Sequence, residues 1–400
     1  ARQPWIDVSE AEPLEGPPGA VLSRAVQVRN RGTGTLRIGD PVGLALGGGF
    51  ELAAVPGPLA PNRCGELVVG FRAPAAAGTA SGVYVASSND TTAREVAGHN
   101  RRVALSAVVR KLAPRTIVAI GRTGEAEELL AIDPRTGTRL RLAPPPPSIR
   151  PSALAIDADL DHLLVAGTAP GGGAGRVVRV DPTTGQQTDA AGGQPLSDPR
   201  AIAVEQDGRI LVADAGAFEG EGAVIRVDLA TGAQTVLALG ADVFRRPVGL
   251  AVDRDGRILL LAEELFAGMA VLRIHPQSGG VAKVADVPSN LVQASALAIE
   301  PAGTVLVAYT SGIAGGGFTG TVGQVDRFDL ATGQRNRVTG GNSLRAFALA
   351  VEADGSVLIA GEDEVGGVLR VDPATGARTP LSTAAGGAIP HAIAVVPAGG

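Results

Sequence analysis

The chain of 400 residues carries a net charge of −5, with one Trp, two Tyr and eight Phe, so its interior must be built from Val, Leu, Ile and Ala. The length exceeds one ordinary core and suits a repeat domain beside a smaller module. The single cysteine, Cys64, excludes an internal disulfide and a thiolate metal cluster within one chain.

Residues 1–112 hold 12 basic and 9 acidic side chains, the remainder 23 and 31, so neither part presents the basic face of a nucleic-acid binder. No apolar run is long enough to span a bilayer as a helix. The start at Ala1 without Met fits removal of a signal peptide, and the expected location is extracellular or at the cell surface.

In residues 1–112 apolar positions alternate with a period of two, at Val26/Val28, Leu36/Ile38, Leu67/Val69/Phe71, Val83/Val85 and Val103/Leu105, between turn-forming clusters. That pattern predicts a small β-sandwich. Trp5 to Val8 is expected as its first strand, with pairing to a neighbouring subunit's sheet edge, and hence filament assembly, as the alternative. The strings Ala25 to Ile38, Leu59 to Pro74 and Gly78 to Asp90 resemble the immunoglobulin-like modules of the Hydin and choice-of-anchor D type. The resemblance implies a spacer or docking unit.

From residue 113 to 400 one pattern returns. Its first segment reads SALAID at Ser152, RAIAVE at Arg200, VGLAVD at Val248, SALAIE at Ser295, FALAVE at Phe347 and HAIAVV at His391. The steps between the markers Ala153, Ala201, Gly249, Ala296, Ala348 and Ala392 are 48, 48, 47, 52 and 44 residues. Such a period, filled with short strands and turns, predicts a β-propeller with four strands, A to D, per blade. The first repeat lacks strand A and the last ends with a spare one, so six blades should close by the C-terminal strand completing blade one. The large face of each inner strand is expected against the small face of the next blade.

The segments Ala201 to Gly216 and Ala348 to Asp363 resemble NHL-type propellers and, more loosely, six-bladed gluconolactonase and streptogramin lyase relatives. Those enzymes imply acidic, Asn or His residues in the central channel. Here the place held by Asp214 carries Gly121, Gly167, Ala262, Tyr309 and Gly361 in the other blades, so Asp214 is expected as a turn residue. His99, His162, His275 and His391 show no zinc spacing. Gly315, Gly317 and Gly320 match a dinucleotide motif, but a strand follows them instead of a helix. The DADLD run at Asp157 lacks the Gly and distal Glu of a calcium loop and reads as a solvated turn.

Arg179, Arg226, Arg273, Arg327 and Arg370 recur in strand C and are expected to form an exposed ladder with the turn residues Asp181, Asp228, His275, Asp329 and Asp372. Phe218, Phe266 and Phe318 lie in three successive B–C loops and Phe244 in an adjoining connection, with Glu219, Glu221, Glu263, Glu264 and Glu362 around them. An aromatic patch with an acidic rim is expected to bind a protein or another surface macromolecule. The functional expectation is a non-enzymatic structural or interaction protein without cofactor or metal, with a propeller lactonase or lyase as the alternative.

Overall fold

The computed structural model describes residues 6–8, 14–16, 21–30, 35, 50–54, 56–72, 78–87, 100–109, 112, 114–124, 126–142, 145–172, 174–241, 243–265, 268–287, 292–312, 321–341, 344–362, 366–383 and 387–397. The chain forms two compact units, residues 1–114 and 115–398.

Among the described residues the first unit is all-β. Its strands are β1 (Ile6–Val8), β2 (Leu14–Gly16), β3 (Val21–Asn30), β4 (Phe50–Ala54), β5 (Cys64–Arg72), β6 (Gly78–Ser87) and β7 (Asn100–Val109). They make one sheet of order β1-β3-β5-β4 and another of order β2-β7-β6. Alternation in β3 and β5 sends Val26, Val28, Leu67, Val69 and Phe71 inward. Phe50 packs on Phe71 with ring centroids 4.7 Å apart and the rings tilted by 42°. β1 pairs with β3 of the same chain, Ile6 opposite Asn30; Trp5 lies outside the described residues. Cys64 is exposed and unpaired at the start of β5.

The second unit is a six-bladed propeller. Blade 1 holds β8 (Ile117–Thr123), β9 (Ala126–Ile132) and β10 (Arg139–Arg141); blade 2 holds β11 (Arg150–Ile156), β12 (Leu163–Thr168), β13 (Gly175–Val180) and β14 (Gln187–Gly192). Blade 3 holds β15 (Pro199–Val204), β16 (Ile210–Asp214), β17 (Ala223–Val227) and β18 (Gln234–Leu239), with one helical turn, α1 (Ala217–Gly220), between β16 and β17. Blade 4 holds β19 (Phe244–Val252), β20 (Ile258–Glu264), β21 (Gly268–Ile274) and β22 (Val281–Asp286). Blade 5 holds β23 (Val292–Ile299), β24 (Val305–Gly312), β25 (Thr321–Phe328) and β26 (Arg335–Gly341). Blade 6 holds β27 (Arg345–Val351), β28 (Val357–Glu362), β29 (Gly367–Val371) and β30 (Arg378–Thr383).

The last strand, β31 (Ile389–Val395), pairs antiparallel with β8 and gives blade 1 the order β10-β9-β8-β31. Closure by the C-terminal strand leaves no inner edge open.

Between blades the small face of each inner strand meets the large face of the following one. Ala201 and Ala203 of blade 3 share a core with Leu250 and Val252 of blade 4. Ala348 and Ala350 share one with Ile393 and Val395. The two faces pair as the sequence suggests, but in the opposite rotational sense: the large face looks back to the preceding blade.

The C–D turns are built identically. Asp228 accepts the backbone N–H of Ala230 and Thr231, and Asp372 accepts those of Ala374 and Thr375. His275 does the same with its ring, Nδ1 accepting from Gln277 and Ser278. The glycine that ends this turn needs a positive φ and abuts the preceding blade: a Cβ on Gly279 would lie 1.7 Å from the Leu237 carbonyl oxygen.

These turn residues are therefore engaged with their own backbone, and the expected ladder is corrected. Arg226, Arg327 and Arg370 bind instead the carboxylate that ends strand A of their own blade: Glu205, Glu300 and Glu352, with closest approaches of 2.5–2.6 Å. Each also donates to a carbonyl in the next blade's C–D turn: Pro276, Pro373 and, across the closure, Pro134. Arg179 bridges Asp157 and Asp159. Arg273 is exposed and makes no ion pair among the described residues; Asp253 of its blade is taken by Arg257.

Candidate functional site

Every inner strand carries a β-bulge near its start, which leaves one residue per blade out of register: Ser152, Arg200, Ser295, Phe347 and His391, and the stretch before Gly249 in blade 4. Bulges re-aim a side chain. Here they point several of these residues to the neighbouring inner strand. Ser152 donates to the Pro199 carbonyl of blade 3, and Ser295 donates to the Ala346 carbonyl of blade 6 at 2.7 Å. The ring of His391 meets the Pro151 carbonyl of blade 2.

His391 differs from the serines because its second nitrogen has work left to do. Nε2 lies 3.7 Å from Oε2 of Glu127, and both atoms are buried without a hydrogen-bond partner. Glu127 reaches this point from β9 and engages Arg122 of β8 through its other oxygen, at 2.5 Å. Burial pushes the His391 pKa below its ordinary value; Glu127 opposes that shift, and the Arg122 charge adds to it. The ring is thus held neutral near pH 7, beside a carboxylate, on the innermost strand.

At the same end of the propeller Asp214 is fully buried. It accepts the backbone N–H groups of Ser197, Asp198, Gly216 and Ala217 at 2.8–3.0 Å. Burial raises its pKa although these bonds pull it down. Asp214 therefore ties the B–C loop to the D–A connection, a larger role than a turn residue.

The expected aromatic patch is placed differently. Phe244 is a correction: it is fully buried between blades 3 and 4. Phe218 is 40% exposed, on α1, where it and Glu219 take left-handed backbone. Phe266 and Phe318 lie outside the described residues. Glu219 and Glu221 are exposed. Glu263, Glu264 and Glu362 have the cationic partners Arg246, Lys283 and Arg345, at 3.7, 3.2 and 2.9 Å.

The opposite, A–B end of the channel holds a cavity of about 740 Å³ lined by the ends of the inner strands of blades 4, 5, 6 and 1. Asp253, Glu300 and Glu352 face it. Burial disfavours ionised Glu300, but the Arg327 guanidinium and the Thr304 hydroxyl outweigh it and hold the carboxyl below its usual range.

Among the described residues one group has metal-ligand composition: Asp157, Asp159 and His162 bring ligand atoms within 4.8 Å of one another. Arg179 already lies against both carboxylates, and Nδ1 of His162 is 2.7 Å from Asp159. A guanidinium stands where a cation would, so the group does not fit a metal. Asp157 is also buried, which corrects the reading of this stretch as a wholly solvated turn.

Sequence reasoning missed His391 and Glu127. They are far apart along the chain and meet only because β31 returns to blade 1; the sole sequence signal was that His391 sits in the strand that closes the ring.

No protein-family model and no curated protein matches the chain. Solved structures do. A chain of a nidogen/laminin complex is 14% identical, with a TM-score of 0.53, over 70% of this chain and 98% of that one. The periplasmic gluconolactonase of Pseudomonas aeruginosa is 19% identical over 70% and 99% of the two chains, with a TM-score of 0.45. A gluconolactonase of Xanthomonas campestris is 16% identical over 72% and 87%, with a TM-score of 0.44. With enzymes named among similar structures, the expectation of a non-enzymatic structural or interaction protein is corrected and not carried further. At these identities the likeness shows the fold alone: the second unit is a six-bladed β-propeller.

Proposed function

We propose that the propeller is a hydrolase acting on a small lactone or ester at the bulge-ring end of its channel. The observation that carries the reading is His391, neutral and partly buried on the innermost strand, with Nε2 unbonded and facing Glu127. A base of this kind needs a pKa below the working pH and a partner for the charge it acquires. In the proposed step substrate binding opens access to Nε2, which is closed to solvent in the free protein, and Nε2 takes a proton from water as the water oxygen bonds to the acyl carbon. The acyl C–O bond then breaks, and the imidazolium, stabilised by Glu127, returns the proton to the leaving alkoxide. Two of the similar structures are named gluconolactonases, and lactones are accordingly the first substrates to try.

The N-terminal unit is inferred to be an immunoglobulin-like sandwich that adds no group to this chemistry; its sheets of four and three strands support that reading.

A panel of sugar lactones and simple aryl esters, assayed with the purified full chain and with His391→Gln, tests the proposal. Turnover by the wild type, reduced at least about 100-fold by the substitution, is expected for loss of a general base. Absence of turnover across the panel, or full activity in His391→Gln, overturns it.

A further inference from the structure

The outer strand of each blade has one edge that its own sheet leaves unpaired, and in five of the six blades the sequence guards that edge. The guarding residue stands opposite the residue two places before the end of strand C. Arg141, Asp189, Lys283, Arg337 and Pro380 hold this place in β10, β14, β22, β26 and β30. A charge or a proline there discourages pairing with another sheet. Blade 3 instead carries Val236, opposite Ile225.

The rest of β18 follows suit. Its sequence, QTVLAL, contains neither a charge nor a proline, whereas each of the other outer strands has at least one. Leu239 stands where blades 2, 4, 5 and 6 carry Gly192, Asp286, Gly340 and Thr383. Val236 and Leu239 pair with Ile225 and Ala223, which are two apart on β17, so both side chains lie on one face of the blade. Of the six exposed large apolar side chains among the described residues, four gather here: these two, Val243 in the next connection and Phe218 on α1. The connection is tied to the α1 loop by Gly240 N–H donating to the Gly222 carbonyl.

We propose that β18 is a dimer interface and pairs antiparallel with β18 of a second copy of this chain. A two-fold pairing sets a strand against itself, so any charge on it meets or neighbours its like. Of the six outer strands, β18 alone escapes that penalty. The exposed carboxylates Glu219 and Glu221 fix the direction, because their loop adjoins the Leu239 end of the strand. Antiparallel pairing puts the acidic ends of the two copies about 20 Å apart along the strands, whereas parallel pairing would bring them together. The main-chain bonds of the pair join two four-stranded blades into one sheet. The inference goes beyond the hydrolase reading and does not rest on it, since β18 lies on the rim of blade 3 and His391 on the innermost strand of blade 1.

Sedimentation velocity of the full chain, from low micromolar to submillimolar concentration, tests it. The mass should rise from monomer to dimer and no further, because a two-fold contact closes. Val236→Lys should weaken the dimer at least about tenfold through like-charge repulsion. The fold already accepts a lysine at the equivalent place, Lys283 of blade 4, so melting of the dilute variant should match the wild type. Val236→Glu should weaken the dimer in the same way, and mixing the two variants in equal amounts should restore it. A chain that stays monomeric throughout, its edge left for some other protein, overturns the inference. So does a dimer unchanged in Val236→Lys, the result expected if a strand of the first unit did the pairing. Turnover of a lactone by Val236→Lys should equal that of the wild type, so failure of the interface and failure of the hydrolase reading are distinguished.

Discussion

Among single residues, the arginines of strand C show how a repeated side chain can be misjudged by its spacing. Arg226 sits two places before Asp228, yet its bonds go to Glu205 and to the Pro276 carbonyl of the next blade. Its side chain is 15% exposed and that of Glu205 11%, so the pair is partly shielded from water. Replacing Arg226 by Met leaves a poorly solvated carboxylate and an unpaired carbonyl, and it should cost about 2 kcal/mol in chemical denaturation.

His391 gives a second expectation at this scale. Its folded pKa lies below 6.5, so the unfolded chain binds the extra proton first, and stability falls as pH drops through 6.5 toward the folded value. Melting curves from pH 7.5 to 5 should show an acid loss in the wild type that is smaller in His391→Gln. Equal acid sensitivity would remove the buried imidazole from the account.

At the scale of elements, the decisive strand is β31. It supplies Ala392 and Ile393 to blade 1, and it joins that blade to blade 6 on one side and to blade 2 through His391 on the other. Removing residues 389–400 bares β8 along its length. The shortened protein should melt well below the intact one or aggregate on heating, followed by light scattering. Unchanged melting would contradict closure through this strand.

Elements were also what the sequence displayed best. The A-strand segments and the turns opened by Asp or His recur at a near-constant interval, and period-two alternation separates Ala201 and Ala203 from Ile202 and Val204. The sense in which those faces meet was hidden, because alternation defines two faces without saying which neighbour each one meets. Phe244 was misplaced for a related reason: a connection by spacing, it is the first residue of β19, and its ring is buried.

On the scale of the whole molecule, the site could not be read from local pattern. Glu127 lies in the first blade and His391 in the last strand, and nothing near either residue marks it as chemical. The inter-blade bonds were equally hidden, since the acceptors at Pro134, Pro276 and Pro373 are backbone carbonyls, which every residue possesses. Ring closure brings these distant groups together.

The central claim, that His391 serves as a general base in hydrolysis, is tested most directly by the pH profile of kcat/KM for a lactone substrate. The profile should rise with pH through a single ionisation below 6.5 and stay level above it. His391→Gln should lose both the activity and that ionisation. A profile in which the ionisation persists in His391→Gln would contradict the claim.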